Sequence, residues 1–207
     1  MKKYVQTMQY MEEIITNSNN YTIVITGLGG QGLIRFLQII GNSLIQKGYK
    51  VISSEKHGLS QRGGKVTCFL RFGEKITAPV PIIGSADMII AAEKACIFDV
   101  LEFTKRDRSS KLIIADYEKE SQNNDYPSEE YFIKVLNENS DHINFVPVMP
   151  IVAQYKNLKI INTIILGYIL RFLPLSEEEI KKSINRYFKK DLIVLNQKAL
   201  EEGIKLK

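Results

Sequence analysis

Short apolar runs alternate with longer stretches of helical period along most of this chain. The runs rich in β-branched residues have the composition of buried strands. They lie at residues 23–25, 50–53, 86–93, 112–115 and 143–148. Residues 65–72 instead alternate apolar and polar side chains, as expected for a strand with one buried face. A turn at Gly73 and Glu74 then predicts a hairpin into a short strand at 75–78.

Helical periodicity separates most of these runs. The predicted helices cover residues 1–16, 33–47, 95–104, 128–139, 157–173 and 191–202, and another begins at Ser176. Gly48 is placed to end the helix at 33–47, and Ser176 with Glu179 has the spacing of a capping box. Strands separated by helices predict a three-layer, Rossmann-like α/β fold with a mainly parallel sheet, an inserted β-hairpin and C-terminal helices. We expect residues 1–20 to form an N-terminal helix and connector, and residues 21–203 a single domain.

Composition narrows the class of protein. The 207 residues are 44% hydrophobic, enough for a full core, and carry a net charge of +5. The lysines are scattered, and the dense run at 105–108 contains an acid, which favours a solvated loop over a nucleic-acid surface. The most apolar stretch, 160–170, is too short to span a membrane. The two cysteines, Cys68 and Cys96, lack the spacing of a zinc or iron–sulfur site, so we expect core residues of a cytoplasmic protein.

The strongest local signal is the sequence TGLGGQG at residues 26–32. It has the G-x-G-x-x-G spacing and lies between the first strand and the first long helix after it. Glycines permit a sharp turn, and free N–H groups at a helix start attract an anion such as a phosphate. The candidate binding residues are Gly27, Gly29, Gly30, Gln31 and Gly32. The alternative is that these glycines only let the helix pack closely on the strand.

A second glycine-rich segment, SEKHGLSQRGG, follows the second predicted strand. Glu55 follows Gly32 by roughly 20 residues, the place of the ribose-binding acid in a Rossmann fold. However, an NAD-binding fold continues there into a crossover helix, whereas this chain enters a loop and a hairpin. His57 and Ser60 do not predict a hydrolase, because no G-x-S-x-G elbow accompanies them. A solvated loop acid remains the alternative for Glu55.

Acids also lie at the ends of the later predicted strands. Asp87, Glu93 and Asp116 occupy places where an α/β fold either binds ligands or caps helices, and we favour capping. No set of residues has the pattern of a metal site.

Three segments together resemble the gamma-type subunits of 2-oxoacid:ferredoxin oxidoreductases, most closely those of the indolepyruvate branch. They read ITGLGGQG, SEKHGLSQRGGKVTCFLRFG and ADMIIAAE. The loop HGLSQRGG at residues 57–64 is the specific part of the resemblance. Further positions that look like family positions are Asn162, Gly167, Asn196, Ala199 and Gly203. The resemblance therefore extends from about residue 21 to residue 203.

The resemblance implies one subunit of a larger enzyme of anaerobic metabolism. Such an enzyme oxidatively decarboxylates a 2-oxoacid to an acyl-CoA and reduces ferredoxin. Thiamine diphosphate, magnesium and iron–sulfur clusters are then expected on a large partner subunit, with no catalytic residue and no metal on this chain. The implied binding surface joins the glycine turn to Glu55, His57, Ser60, Gln61, Arg62, Gly63 and Gly64. That surface would face the partner and contact coenzyme A, and the isolated chain could form a homodimer.

Two other functions stay open from the sequence. One is a stand-alone NAD(P)-binding oxidoreductase that uses Gly27, Gly29, Gly32 and Glu55. The other is a non-catalytic scaffold that has lost its partner.

Overall fold

The computed structural model describes residues 20–58, 64–119 and 126–206. The helix predicted over residues 1–16 lies outside these ranges. All statements below concern the described residues.

A mixed sheet forms the centre of the molecule. Its six strands in the described chain run in the spatial order β2-β3-β1-β4-β5-β6. They are β1 Asn20–Leu28, β2 Val51–His57, β3 Lys65–Gly73, β4 Met88–Ala91, β5 Lys111–Ala115 and β6 His142–Val146. Strands β1, β4, β5 and β6 are parallel, and β3 is antiparallel to both β1 and β2. The predicted α/β fold with a mainly parallel sheet is confirmed.

The inserted hairpin lies elsewhere than predicted. The second strand runs on to His57 and pairs with β3, so β2 and β3 are the two arms of the hairpin. Residues 75–78 form no strand, because β1 and β2 already occupy both edges of β3. Side-chain bonds hold this segment instead, and the Lys75 N–H donates to Asn20 Oδ1 at 3.1 Å.

Helices cover both faces of the sheet. They are α1 Leu33–Gln46, α2 Glu129–Asn139, α3 Val148–Tyr155, α4 Ile161–Ile169, α5 Glu177–Tyr187 and α6 Lys190–Lys205. The predicted capping box at Ser176 is present, and Gly48, with φ of 99°, ends α1 in the left-handed region. Residues 95–104 form 3₁₀ segments, Lys94–Asp99 and Leu101–Phe103, rather than the predicted α-helix.

The region predicted as one helix over 157–173 is divided, and a helix precedes it. Helix α3 begins directly after β6, because Asp116 Oδ1 accepts the N–H groups of Val148 and Met149 at 2.7 and 2.9 Å. The helix ends at Lys156, which has a left-handed φ of 50°. A 3₁₀ segment at Leu158–Ile160 then leads into α4.

Successive side chains of β1 point to opposite faces of the sheet, so this strand contributes to the core on both faces. Ile23 and Ile25 pack against the larger apolar cluster, to which α1, α4, α5 and α6 contribute. Val24 points to the opposite face, which is covered by α2 and the 3₁₀ segments. Helices α1, α4, α5 and α6 therefore lie on the same face of the sheet. On this face α4 lies beside the start of α1.

Candidate functional site

The glycine turn joins the carboxyl end of β1 to the start of α1. Gly30 and Gly32 have φ values of 89° and 86°, in the left-handed region that side chains other than glycine rarely adopt. At Gly27 a Cβ atom would lie 2.6 Å from Gln31 Oε1 and 3.2 Å from the Ala92 Cβ. These glycines therefore meet steric and backbone requirements that other residues would not.

Gln31 holds this turn from inside. Its Oε1 accepts the Leu28 N–H at 2.6 Å, and its Nε2 donates to the Ala92 carbonyl at 3.3 Å. From the neighbouring helix α4, Asn162 Nδ2 donates to the Gln31 carbonyl at 2.7 Å. The turn is thus fixed to β1, to the end of β4 and to α4, which makes Gln31 a supporting residue of the site in this structure.

The start of α1 lies at the surface, where Gly32, Ile34 and Arg35 are exposed. Gly32 is its N-cap residue, and no described side chain forms a capping hydrogen bond there. The first N–H groups of a helix lack partners inside the helix, and the helix dipole adds positive potential at this end. An anionic group would therefore meet the helix start, because the Gly29 and Gln31 N–H groups of the turn already donate to the Gly64 and Leu28 carbonyls.

A small cavity opens beside this helix start, between α1 and α4. It has a volume of about 170 Å³. Its lining residues are Gly30, Gln31, Gly32, Arg35, Phe36, Ile39, Lys159, Asn162, Thr163, Leu166 and Phe188. Arg35 and Lys159 are exposed side chains, so the cavity has apolar walls and a basic rim.

The second predicted segment begins and ends at the same edge of the sheet as the turn. The Gly29 N–H donates to the Gly64 carbonyl at 2.7 Å, and the Gly58 N–H donates to the Lys65 carbonyl at 3.0 Å. Gly64 therefore touches the glycine turn directly. Ser60, Gln61, Arg62 and Gly63 lie outside the described residues, so their part in the site stays a prediction.

Glu55 and His57 lie on β2 rather than in a loop. They are exposed, and His57 Nε2 lies 3.5 Å from Glu55 Oε1. Because β3 separates β2 from β1, Glu55 is two strand spacings away from β1, or about 10 Å. In a Rossmann fold the ribose-binding acid ends the strand next to β1, so Glu55 does not occupy that position.

Two of the three acids at strand ends, Glu93 and Asp116, cap the start of a helical segment, as predicted. Glu93 accepts the Cys96 N–H at 3.0 Å, and Asp116 caps α3 as described above. Asp87 differs, because it precedes β4 at the opposite edge of the sheet. It accepts the Thr22 N–H at 2.7 Å and pairs with Lys105 Nζ at 2.5 Å. No group of three or more His, Cys, Asp and Glu side chains among the described residues could hold a metal ion.

Both cysteines are fully buried, as predicted. Burial raises the pKa of the Cys68 thiol to about 12, and the Glu55 carboxylate adds to this shift. Burial also raises the pKa of the Cys96 thiol, with the Glu93 side chain as the second cause. Thiolates rather than thiols bind metals and attack electrophiles.

We therefore expect neither thiol to react with Ellman's reagent at pH 8 in the folded chain. In denaturant both of the cysteines should react, which is the internal control for the assay. Rapid release of one equivalent of thionitrobenzoate from the native chain would contradict the buried environment described above.

None of the described helices is long and apolar enough to cross a bilayer.

The model of the pyruvate ferredoxin/flavodoxin oxidoreductase family matches residues 22–206. The chain belongs to this family. Within it, the chain is 29% identical over 191 residues to indolepyruvate oxidoreductase subunit IorB of Thermococcus kodakarensis, covering 89% of this chain and 95% of the relative.

A second relative and one solved structure are also similar to this chain. The pyruvate/ketoisovalerate oxidoreductases common subunit gamma of the same organism is 25% identical, covering 86% of this chain and 91% of the relative. The crystal structure of pyruvate oxidoreductase subunit PORC from Thermotoga maritima superposes with a TM-score of 0.65 at 21% identity. It covers 89% of this chain and 95% of that one, which supports the fold. The predicted resemblance to gamma-type subunits of 2-oxoacid:ferredoxin oxidoreductases, and to the indolepyruvate branch, is confirmed.

Sequence reasoning missed three contributors to the cavity. Arg35 follows the glycine turn by one helical turn, and its charge among apolar residues was the available signal in the sequence. Lys159 and Phe188 come from distant parts of the chain and gave no local signal. The resemblance marks Asn162 as a family position, and the structure adds its bond to the turn.

Proposed function

We propose that this chain is the non-thiamine subunit of an indolepyruvate-type 2-oxoacid:ferredoxin oxidoreductase. The complex would oxidatively decarboxylate an aryl 2-oxoacid to an acyl-CoA and pass the electrons to ferredoxin. The observation that carries this proposal is the likeness to IorB over 89% of the chain, together with the edge of the sheet where Gly58 and Gly64 lie beside the glycine turn. Residues 21–203 would act as the single gamma-type domain, in the cytoplasm and in anaerobic metabolism.

The redox groups would belong to the large partner subunit. When bound there, thiamine diphosphate with magnesium would supply carbanion chemistry, and iron–sulfur clusters would carry the electrons. The cysteines of this chain do not fit a cluster, because both are buried and the pKa of each thiol is raised. This chain would therefore contribute binding and positioning rather than a catalytic residue.

The glycine turn would bind an anion that helps to hold the complex or its substrate. The proposed anion is a phosphate of coenzyme A, or else a carboxylate or backbone group of the partner. The uncapped start of α1 and the basic side chains Arg35 and Lys159 support an anion at this place. At an exposed helix start the dipole contributes roughly 0.3–1 kcal/mol, so the side chains must add to it.

A stand-alone NAD(P)-binding enzyme is the weaker candidate. The position of Glu55, separated from β1 by β3, argues against the ribose contact that this function requires. Titration of the isolated chain with NADH separates the two functions. Tight binding of NADH that Gly29→Val abolishes would favour the dehydrogenase and count against our proposal.

The segment at residues 55–64 is proposed as the surface that faces the partner. Gly58 and Gly64 place its two ends at the edge that carries the glycine turn. Arg62 could present a bidentate fork to a carboxylate or phosphate. Ferredoxin would be reached through the complex, and the isolated chain could associate as a homodimer.

Arg62→Ala tests this surface. We expect Arg62 to lie in a surface loop, where a substitution usually changes stability by less than about 0.5 kcal/mol, so the melting temperature should stay nearly unchanged. Co-purification with a thiamine-bearing subunit, or turnover of the assembled enzyme, should fall. Arg106→Ala is the matched control, because Arg106 is exposed and lines a groove at the opposite edge of the sheet. If Arg62→Ala and Arg106→Ala behave alike in all three measurements, this site assignment fails.

A further inference from the structure

Three apolar side chains are exposed together at the edge of the sheet opposite the glycine turn. Val80, Ile82 and Ile83 have 52%, 79% and 65% of their surface exposed, and they lie within four consecutive positions. We call these three residues the apolar patch. Single exposed apolar residues are common on proteins, whereas a contiguous group marks a surface that another segment covers.

Hydrogen bonds fix the backbone on both sides of the apolar patch. Before it, Ser54 Oγ donates to the Pro79 carbonyl at 3.3 Å. After it, the Gly84 N–H donates to the Glu102 carbonyl at 3.0 Å. The ring of Pro81, between these two points, restricts φ further. The backbone therefore holds the three side chains toward solvent, which is the arrangement of a preformed contact surface.

Strand β1 begins beside this patch. Its first residue, Asn20, lines an open groove of about 670 Å³ together with Ile83 and Arg106. Residues 1–19 lie outside the described residues, and the family match begins only at residue 22. The segment that leads into this groove is therefore an addition to the family domain, and it is the part of the chain nearest to the patch in sequence and in space.

The sequence of this segment suits an apolar surface. Tyr4, Met8, Met11 and Ile15 recur at the spacing of one face of a helix. A helix over residues 1–16 would be about 24 Å long, and the three residues that join it to Asn20 can span at most about 10 Å. Its apolar face would therefore reach the patch without any change in the described fold.

Charge favours one orientation of this helix. Arg106 is exposed on the groove and makes no hydrogen bond or ion pair with any described residue. On a helical projection Glu12 borders the apolar face, whereas Glu13 lies on the far side. Exposed ion pairs add little to stability, so a contact between Glu12 and Arg106 would set direction while the apolar side chains supply the binding.

We propose that residues 1–16 form an amphipathic helix that docks on the apolar patch. The apolar face of the helix would cover Val80, Ile82 and Ile83, and Glu12 would meet Arg106 at the groove. The chain then carries the occupant of this surface itself. The inference does not rest on the proposed function, because the patch lies at the edge of the sheet opposite the glycine turn.

Hydrogen exchange of the full chain, read by mass spectrometry, tests this docking. A lone helix of 16 residues is marginal in water, so amides 4–15 are protected only if the helix packs on the fold. We expect these amides to exchange at least about tenfold more slowly than in an unstructured peptide. The double variant Ile82→Ser/Ile83→Ser should remove this protection, while unchanged protection of β1 and β4 shows that the core is intact.

Ile45→Ser is the matched control. Ile45 is 58% exposed and lies on α1, which covers the other face of the sheet. This variant should leave the exchange of amides 4–15 unchanged. A second pair of variants tests the orientation: Glu12→Lys should reduce the protection by up to about fivefold, and Glu13→Lys should not.

Three results would overturn the proposal. One is that amides 4–15 exchange at the unstructured rate in the wild-type chain, or equally slowly in Ile82→Ser/Ile83→Ser. Another is that Ile45→Ser removes the protection, which would put the segment on α1. The third is that residues 80–83 are protected only in a concentration-dependent dimer, since a second copy would then be the occupant. All of these measurements use the chain alone, so their failure is distinct from a failure of the assembled enzyme to turn over.

Discussion

Gly203→Ala is expected to destabilise the folded chain by about 3 kcal/mol, at the upper end of the usual cost of overpacking. A Cβ atom on Gly203 would lie 2.0 Å from the Ile164 carbonyl oxygen. The reciprocal position is equally tight, because a Cβ on Gly167 would lie 2.2 Å from the Leu200 carbonyl oxygen. Helices α4 and α6 therefore cross with backbone against backbone, and no flexible side chain is present to move aside.

Gly41→Ala is the matched control, since Gly41 is also a helical glycine. Its added Cβ would meet Leu70 Cδ1 at 3.5 Å, an ordinary contact. Alanine is favoured over glycine in a helix interior by up to about 1 kcal/mol, so this variant should be unchanged or more stable. Urea denaturation of the three proteins measures the effect. Equal midpoints for Gly203→Ala and Gly41→Ala would show that α4 and α6 are further apart than the structure has them.

The crossing of α4 and α6 also bears on the candidate site. Helix α4 carries Asn162, which holds the Gln31 carbonyl, and the next residue, Thr163, donates to Asn196 of α6 at 2.6 Å. Any shift of α4 away from the sheet would therefore move the support of the glycine turn. We expect Gly203→Ala to weaken anion binding at the turn as well as the fold.

The parts of the fold that local signals specify could be predicted from the sequence. The left-handed glycines of the turn, Gly48 after α1 and the capping box at Ser176 each depend on residues a few positions apart. The β1 run was recognisable because its residues are apolar on both faces of a central strand. In these places, the composition of one short segment determines its structure.

Non-local contacts decided most of the parts that were predicted wrongly. Helix α3 depends on a cap from Asp116, which lies 32 positions before Val148 in the chain. The pairing of β2 with β3 extended the second strand through Glu55, whose polar neighbours had suggested a loop. The exception is local. Residues 94–103 form 3₁₀ segments, and Glu93 accepts the Cys96 N–H at the first turn. Helical periodicity does not distinguish such segments from an α-helix.

The candidate site was half predictable for the same reason. Its glycines are adjacent in sequence and carry a recognisable spacing. The side chains around them come from three elements: Arg35 from α1, Lys159 from the 3₁₀ segment before α4, and Asn162 from α4. Only the packing of α4 beside the turn brings Lys159 and Asn162 to Gly32, and no spacing in the sequence encodes that approach.

The second large expected effect is on turnover. The chain alone should oxidise no 2-oxoacid, because the described residues offer no metal cluster site and both thiols are buried with raised pKa values. Carbanions formed from 2-oxoacids require an electron sink, and the electrons require an acceptor. Enzymes of ordinary efficiency exceed the uncatalysed rate by about a millionfold or more, so adding the partner should change activity from background to full turnover.

The most direct measurement of the central claim is indolepyruvate-dependent reduction of ferredoxin in the presence of coenzyme A. It should be made with this chain alone, with a thiamine-bearing subunit of the same organism alone, and with the two co-expressed and purified together. We predict turnover that requires both subunits, and a stable complex on size-exclusion chromatography. Activity of this chain alone, or full activity of the thiamine-bearing subunit without it, would contradict the account.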